Sequence, residues 1–190
     1  MKLALGTVQF GVNYGIANTQ GQVGLNEARK ILAHAKLSDI STVDTAIAYG
    51  ESEKVLGEVG VSHFDVVTKL PEIPSGLESV EDWVTEQVDR SKNRLGIDSI
   101  YGLLLHRSHQ LLDSSGDDIY QSLKKLKADG VVKKIGISVY SPDEIELVLK
   151  CRDIDLIQAP MSIFDQRLEK SGLLKELQAR GIELHARSVF

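Results

Sequence analysis

Seven short runs rich in Val, Ile and Leu recur along the sequence, each but the last followed by a longer stretch. They fall at 3–8, 40–44, 64–68, 100–105, 134–139, 156–159 and 182–186. Successive starts lie 22 to 37 residues apart, the length of one strand, one crossover helix and two turns. The runs are apolar on both faces, as in parallel strands buried on both sides. The stretches between them repeat apolar residues at three- and four-residue steps: Ile31, Leu32 and Ala35; Val80, Trp83, Val84, Val88 and Leu95; Ile119, Leu123 and Leu126; Ile145, Val148 and Leu149; Leu173, Leu174 and Leu177. That spacing makes amphipathic helices. The punctuation agrees. Asn26 or Leu25 opens the first helix, with Glu27 in its first turn. Ser141-Pro142-Asp143-Glu144 reads as a cap, a proline at the first position and two acids at the helix's positive end. Gly96, Gly130 and Gly181 stand where a left-handed closing residue is favoured.

Strand–helix alternation builds a parallel sheet with helices outside it, an α/β fold. Gly6, Gly11 and Gly15 have the wrong spacing for the G-x-G-x-x-G turn of a dinucleotide-binding Rossmann half. Seven regular units favour a TIM-type (β/α) barrel over a doubly wound sheet. A full barrel has eight strands and about 250 residues. The 190-residue chain shows seven, so an incomplete barrel is expected, one domain over 1–190 without the eighth strand. Ser188-Val189-Phe190 follow the seventh run directly and read as a cut rather than a natural end.

Composition excludes several classes. With 42% hydrophobic and 26% charged residues the chain has the balance of a soluble globular protein. A net charge of −5 and no basic block leave no electrostatic footprint for nucleic acid. No apolar stretch approaches the roughly 18 residues of a membrane span. The N-terminus meets Gly6 and Thr7 too early for a signal peptide. One cysteine, Cys151, excludes an internal disulfide framework and suits a reducing compartment, so a cytoplasmic protein is expected. Beside Leu147 and Val148, Cys151 reads as a small core residue. His34, His63, His109 and His185 show no paired ligand spacing, so no metal site is expected.

Reacting groups in such barrels sit at the C-terminal ends of the strands. Those ends carry Asp44 and then Tyr49 after the second run, Lys69 at the third, His106 at the fourth, Ser138 at the fifth and Gln158 at the sixth. Taken singly, Asp44 reads as a turn residue, Lys69 as a solvated loop lysine and His106 as a satisfied strand-end histidine. Converging on one mouth, they make a proton-transfer group. A lysine beside a tyrosine favours phenolate, so the Tyr49 pKa is expected to fall. A carboxylate keeps the lysine charged, and an imidazole can orient a carbonyl oxygen. Glu51, Ser52, Glu53 and Lys54 read as the solvated start of a helix. Phe10 and Tyr14 are candidate substrate-pocket residues, and Trp83 reads more simply as helix core.

The segment from Asp44-Thr45-Ala46 through Tyr49-Gly50 and Ser52-Glu53 to Leu56-Gly57 resembles the signature of the aldo/keto reductases. So do Val67-Thr68-Lys69, Leu103-Leu104-Leu105-His106 and the opening Leu5-Gly6-Thr7-Val8-Gln9-Phe10-Gly11, in order and across nearly the whole chain. The resemblance implies a barrel that uses NADPH to reduce an aldehyde or ketone, with a small-molecule carbonyl as partner, sugar-derived in some relatives. It implies Asp44, Tyr49, Lys69 and His106 as the catalytic set, with Tyr49 as general acid. It implies Gly6, Thr7, Ser138 and Gln158 at the cofactor. Two positions depart from the pattern: Val139 stands where an asparagine often follows the serine, and Arg187 where relatives stack an aromatic ring on the nicotinamide. Arg187 is expected to stack there as a guanidinium plane.

No basic cluster for the adenosine 2′-phosphate follows the seventh run, so weak NADPH binding is expected of these residues. A binding or vestigial protein is the alternative reading, and a Schiff-base aldolase on Lys69 a minor third, disfavoured by the adjacent Asp44. Open edges at the first and seventh strands are expected to be covered either by a homodimer joined through them or by closure into a seven-stranded barrel.

Overall fold

A computed structural model describes residues 2–189. Seven strands alternate with helices in the expected order. The strands are β1 (Ala4–Gly6), β2 (Thr42–Asp44), β3 (Asp65–Leu70), β4 (Ile100–Leu105), β5 (Val132–Ser138), β6 (Leu156–Pro160) and β7 (Glu183–Arg187). The helices are α1 (Val8–Gly11), α2 (Leu25–Leu37), α3 (Ser52–Val59), α4 (Val80–Leu95), α5 (Gly116–Ala128), α6 (Pro142–Leu149), α7 (Arg167–Lys170) and α8 (Leu173–Ala179). A 3₁₀ turn at Ser108–Leu111 follows β4.

All seven strands are parallel, and each pairs with its neighbours in sequence order, β1 to β7. The sheet curls. Val67 on β3, Leu104 on β4 and Leu156 on β6 form a small apolar cluster, although β6 pairs with neither β3 nor β4; they meet only across the concave face. The two larger clusters lie outside the sheet. One joins β3–β6 to α4, α5, α6 and α8; the other joins α2 and α3 to β2 and β3.

Local signals explain the helix limits. In α4, Ser79 Oγ accepts from the Asp82 amide at 3.1 Å, Glu81 and Asp82 occupy the first turn, and Gly96 closes the helix in the left-handed region at φ 66°. In α6, Pro142 follows Ser141, whose amide donates to Glu144 Oε1 at 3.1 Å.

The structure corrects several expectations. The first run is strand only to Gly6, because Val8 starts α1. Burial on both faces holds in the middle of the sheet and fails at β1 and β7, where every residue is partly or fully exposed; among the described residues each has a neighbouring strand on one side only. Among the described residues β1 and β7 do not pair, so the edges do not close a seven-stranded barrel. Cys151 is exposed rather than core. Phe10 is core, 3% exposed, rather than pocket lining. Ser52 and Glu53, read as solvated, are buried. Glu53 accepts from Thr68 Oγ1 at 2.7 Å, Ser91 Oγ at 2.6 Å and Arg94 Nε at 2.8 Å, which ties α3 to β3 and α4 and satisfies a carboxylate that burial would otherwise penalise.

At the N-terminal end of the sheet, Glu183 of β7 accepts from Tyr101 Oη at 2.8 Å, lies 2.6 Å from His185 Nε2 and pairs with Lys134. Burial opposes its ionisation, but the hydrogen bonds from Lys134, Tyr101 and His185 outweigh that and hold the carboxyl down at about 2. A carboxyl depressed below its unfolded value of 4.5 adds stability at higher pH, and that stability is lost as pH falls through the folded value. Glu183→Gln is therefore expected to lower Tm fully at neutral pH, with the deficit shrinking between pH 4.5 and about 2. Tm measured against pH for both proteins checks this; a deficit independent of pH would contradict it.

Candidate active site

The second and third strands deliver an ion pair. Asp44 is the last residue of β2, and Lys69 stands next to the end of β3. Period-two alternation sends Lys69 to the opposite face from Thr68, which bonds Glu53 in the helix layer. Lys69 is 1% exposed. Its Nζ donates to Asp44 Oδ1 and Oδ2, each at 2.9 Å, and to Thr45 O at 2.7 Å. An ammonium has three donors, so all are occupied.

Tyr49 reaches this pair from the β2–α3 loop. Its amide donates to Ala46 O and its carbonyl accepts from the Ser52 amide, at 2.9 and 3.0 Å. The loop presses against α1 so closely that a Cβ on Gly11 would lie 1.7 Å from Tyr49 O, which only glycine permits. The Tyr49 ring centroid is 5.2 Å from Lys69 Nζ and 5.9 Å from that of His106, with the two rings at 77°, edge to face. His106 follows β4 directly, and its amide continues the ladder to Leu70 O at 3.1 Å. Asp44, Tyr49, Lys69 and His106 thus meet at the C-terminal mouth of the sheet.

The electrostatics differ from the sequence reading at one point. The Tyr49 phenol is pushed up to about 12, first by burial and then by the Asp44 carboxylate, with Arg187 pulling the other way. The fall expected from the neighbouring ammonium does not occur, because burial and the Asp44 carboxylate decide the sign. Burial likewise pushes the Lys69 ammonium below the usual lysine value against the opposing pull of Asp44. Burial, then the charge on Lys69, lowers the His106 pKa, which leaves a neutral imidazole at pH 7.

Gln158 and Ser138 are in register on β6 and β5 and are each 5% exposed. Gln158 Nε2 donates to Asp44 Oδ1 at 2.7 Å. Gly6 ends β1, with no atom within 4 Å of where a Cβ would stand. Arg187 packs on Tyr140 rather than standing free, its guanidinium carbon 4.3 Å from the ring centroid and its Nη2 donating to Val139 O at 2.9 Å. Thr7 is 1% exposed, and its hydroxyl donates to Asp44 O at 2.9 Å; it lies behind the mouth, not facing it. Tyr14 and Tyr140 are exposed, and both add to the upward push on the Tyr49 phenol. Sequence reasoning missed Tyr140 as the platform for Arg187, and missed Ser52 and Glu53 because charge concealed their place beside Leu56 on the buried face of α3. A hollow of about 400 Å³ lies at the other end of the sheet, between Phe64, Ile97 and Tyr101, away from this chemistry.

The profile of the aldo/keto reductase family matches residues 2–190. The D-threo-aldose 1-dehydrogenase of a Pseudomonas species is 31% identical over 188 residues, covering 81% of this chain and 57% of that protein. The oxidoreductase YqkF of Bacillus subtilis, itself uncharacterised, is 28% identical over 156 residues, covering 76% and 50%. The chain spans about half the length of these curated relatives. The holo form of an aldo-keto reductase from Bacillus halodurans superposes with TM-score 0.77 at 25% identity, covering 97% of this chain and 61% of that one. An aldo-keto reductase from Klebsiella pneumoniae in complex with NADPH shares the fold, with TM-score 0.75 at 19% identity, over 97% and 62%.

Proposed function

The chain belongs to the aldo/keto reductase family, and from that premise we propose that it serves the reduction of an aldehyde or ketone to an alcohol, with NADPH as reductant. The observation that carries the reading is the convergence of Tyr49 and His106 over the buried Asp44–Lys69 pair. Two neutral donors then face one opening, backed by a fixed ion pair.

The residues at the mouth fit a nicotinamide cofactor. The Ser138 hydroxyl and Gln158 amide offer the donors and acceptors that a carboxamide takes, the open space before Gly6 lets a flat ring approach the backbone, and Arg187 adds a planar cation beside it. The chemistry that NADPH would supply, held there by Ser138 and Gln158, is hydride for the carbonyl carbon. The chain's own residues handle the oxygen. His106, neutral at pH 7, donates one N–H to the carbonyl and fixes its direction. As negative charge grows on that oxygen, Tyr49 Oη gives it a proton, and the raised phenol pKa keeps that proton in place until the charge develops. Lys69, held by Asp44 and Thr45 O, keeps a cation beneath the ring, and Gln158 holds Asp44 in place. A positioned donor of this kind is worth about 10²–10³ in rate.

The aldose specificity in the name of the Pseudomonas relative supports placing sugar-derived carbonyls among the substrates. NADPH oxidation measured against a panel of aldehydes, ketones and aldoses tests the reading. Turnover with at least one carbonyl is expected; cofactor binding without turnover of any would favour a binding role instead.

A further inference from the structure

Three hydroxyls stand behind the Asp44–Lys69 pair, closed off from solvent: Thr7 at 1% exposure, Thr45 and Ser52 at 0%. They come from three segments, the residue before α1, the residue after β2 and the first residue of α3. Ser52 Oγ donates to Thr7, at 2.9 Å from its carbonyl and 3.0 Å from its hydroxyl. Thr7 Oγ1 donates in turn to Asp44 O at 2.9 Å, and the Thr7 amide reaches the same carbonyl at 2.9 Å. Thr45 Oγ1 lies 3.0 Å from Ser52 Oγ. A hydroxyl has one proton. Ser52 has spent its own on Thr7, so Thr45 donates to Ser52. The bonds run one way, from Thr45 to Ser52 to Thr7 to the Asp44 carbonyl.

The far end of the chain and its beginning both touch the ion pair. Asp44 carries the carboxylate that holds Lys69, and Thr45 carries the carbonyl that takes the third lysine proton. We infer that the Thr7–Thr45–Ser52 hydroxyl cluster is a positioning device that fixes the Asp44–Thr45 backbone, and through it the place of Lys69 beneath Tyr49. Val, Val and Ala would fill nearly the same volume without burying three oxygens, so packing alone does not account for the hydroxyls. Buried hydroxyls cost free energy unless bonded, and a satisfied chain of them fixes one arrangement. The inference rests on the proposed reduction for its kinetic readout and stands apart from it in a second readout.

Thr7→Val removes the hydroxyl and keeps the shape; Thr7→Ser keeps the hydroxyl and loses a methyl. With positioning lost, Thr7→Val is expected to lower kcat about 10- to 100-fold at nearly unchanged KM. Thr7→Ser is expected to recover most of that, even where its Tm falls as far. The second readout is the Lys69 ammonium titration followed by NMR, with Asp44, His106, Arg187 and Tyr49 as the ionisable groups facing it. Its midpoint is expected to drop in Thr7→Val, where Asp44 is less well held, and to stay at the wild-type value in Thr7→Ser. Ser52→Ala, which deletes one oxygen, replaces Thr7→Val if that variant does not fold. Wild-type kcat and an unmoved Lys69 midpoint in the hydroxyl-free variant would overturn the inference, as would losses in both Thr7 variants that simply track Tm. If the wild-type protein reduces no carbonyl, the proposed reaction fails and the Lys69 titration still decides the positioning role.

Discussion

Tyr49→Phe is expected to cut carbonyl reduction by about 10²–10⁴, the usual worth of a general acid, while leaving Tm close to that of the wild type. The ring stays edge to face with His106 and above Lys69, at 5.9 and 5.2 Å, so the packing of the loop on α1 is untouched. Only the proton donor goes. The phenol pKa of about 12 also means that kcat/KM, which reports ionisations of the free enzyme, should show no alkaline fall from Tyr49 below about pH 11. NADPH oxidation and thermal unfolding, measured on the same preparations, check both parts. Unchanged turnover in the variant would remove Tyr49 from the proton-transfer role.

Asp44→Asn carries the larger expected effect on stability. Lys69 is 1% exposed, and Asp44 supplies two of its three acceptors. Neutralising Asp44 leaves a buried cation without a counter-charge, a change that costs about 3–5 kcal/mol. The protein's escape is to shed the lysine proton, whose pKa burial already depresses. With Lys69 losing its proton more readily folded than unfolded, stability rises with pH across that interval, so the deficit of Asp44→Asn should shrink from pH 7 towards about pH 10. Lys69→Met should cost less. It removes the cation itself, and Asp44, 18% exposed, keeps its bond to Gln158 Nε2. Urea unfolding of the two variants across this pH range measures the asymmetry; equal, pH-independent losses would contradict the ion-pair account.

The sheet was legible because its information is periodic. Runs apolar on both faces, spaced by one helix, place the strands within a few residues, and Gly96, Gly130 and Gly181 mark real left-handed helix ends, with φ of 66°, 73° and 68°. Edges are not periodic. The runs of β1 and β7 look like the inner ones, and only the number of neighbouring strands decides that they stay half exposed. At the site, residue type and strand-end position led to Asp44, Tyr49, Lys69 and His106. The sign of the Tyr49 shift was not legible, since burial and the nearby Asp44 carboxylate set it, and a loop position does not reveal how deeply a ring will be buried. Glu53 misled for the same reason. A charged residue in a first helical turn is usually solvated, and its three partners lie 15 to 41 residues away. Thr7, assigned to the cofactor by resemblance, has its hydroxyl committed to Asp44 O, a contact made by folding two distant segments together.

In the proposed reaction Tyr49, His106 and the Asp44–Lys69 pair act on a carbonyl that takes hydride from the nicotinamide. NADPH carrying deuterium in place of both hydrogens at the nicotinamide C4 is incubated with the protein and a carbonyl that it turns over, followed by mass spectrometry of the product. An alcohol with deuterium on the carbinol carbon is expected, formed by the wild type and almost absent with Tyr49→Phe. An alcohol without deuterium, or equal labelling by the variant, would contradict it.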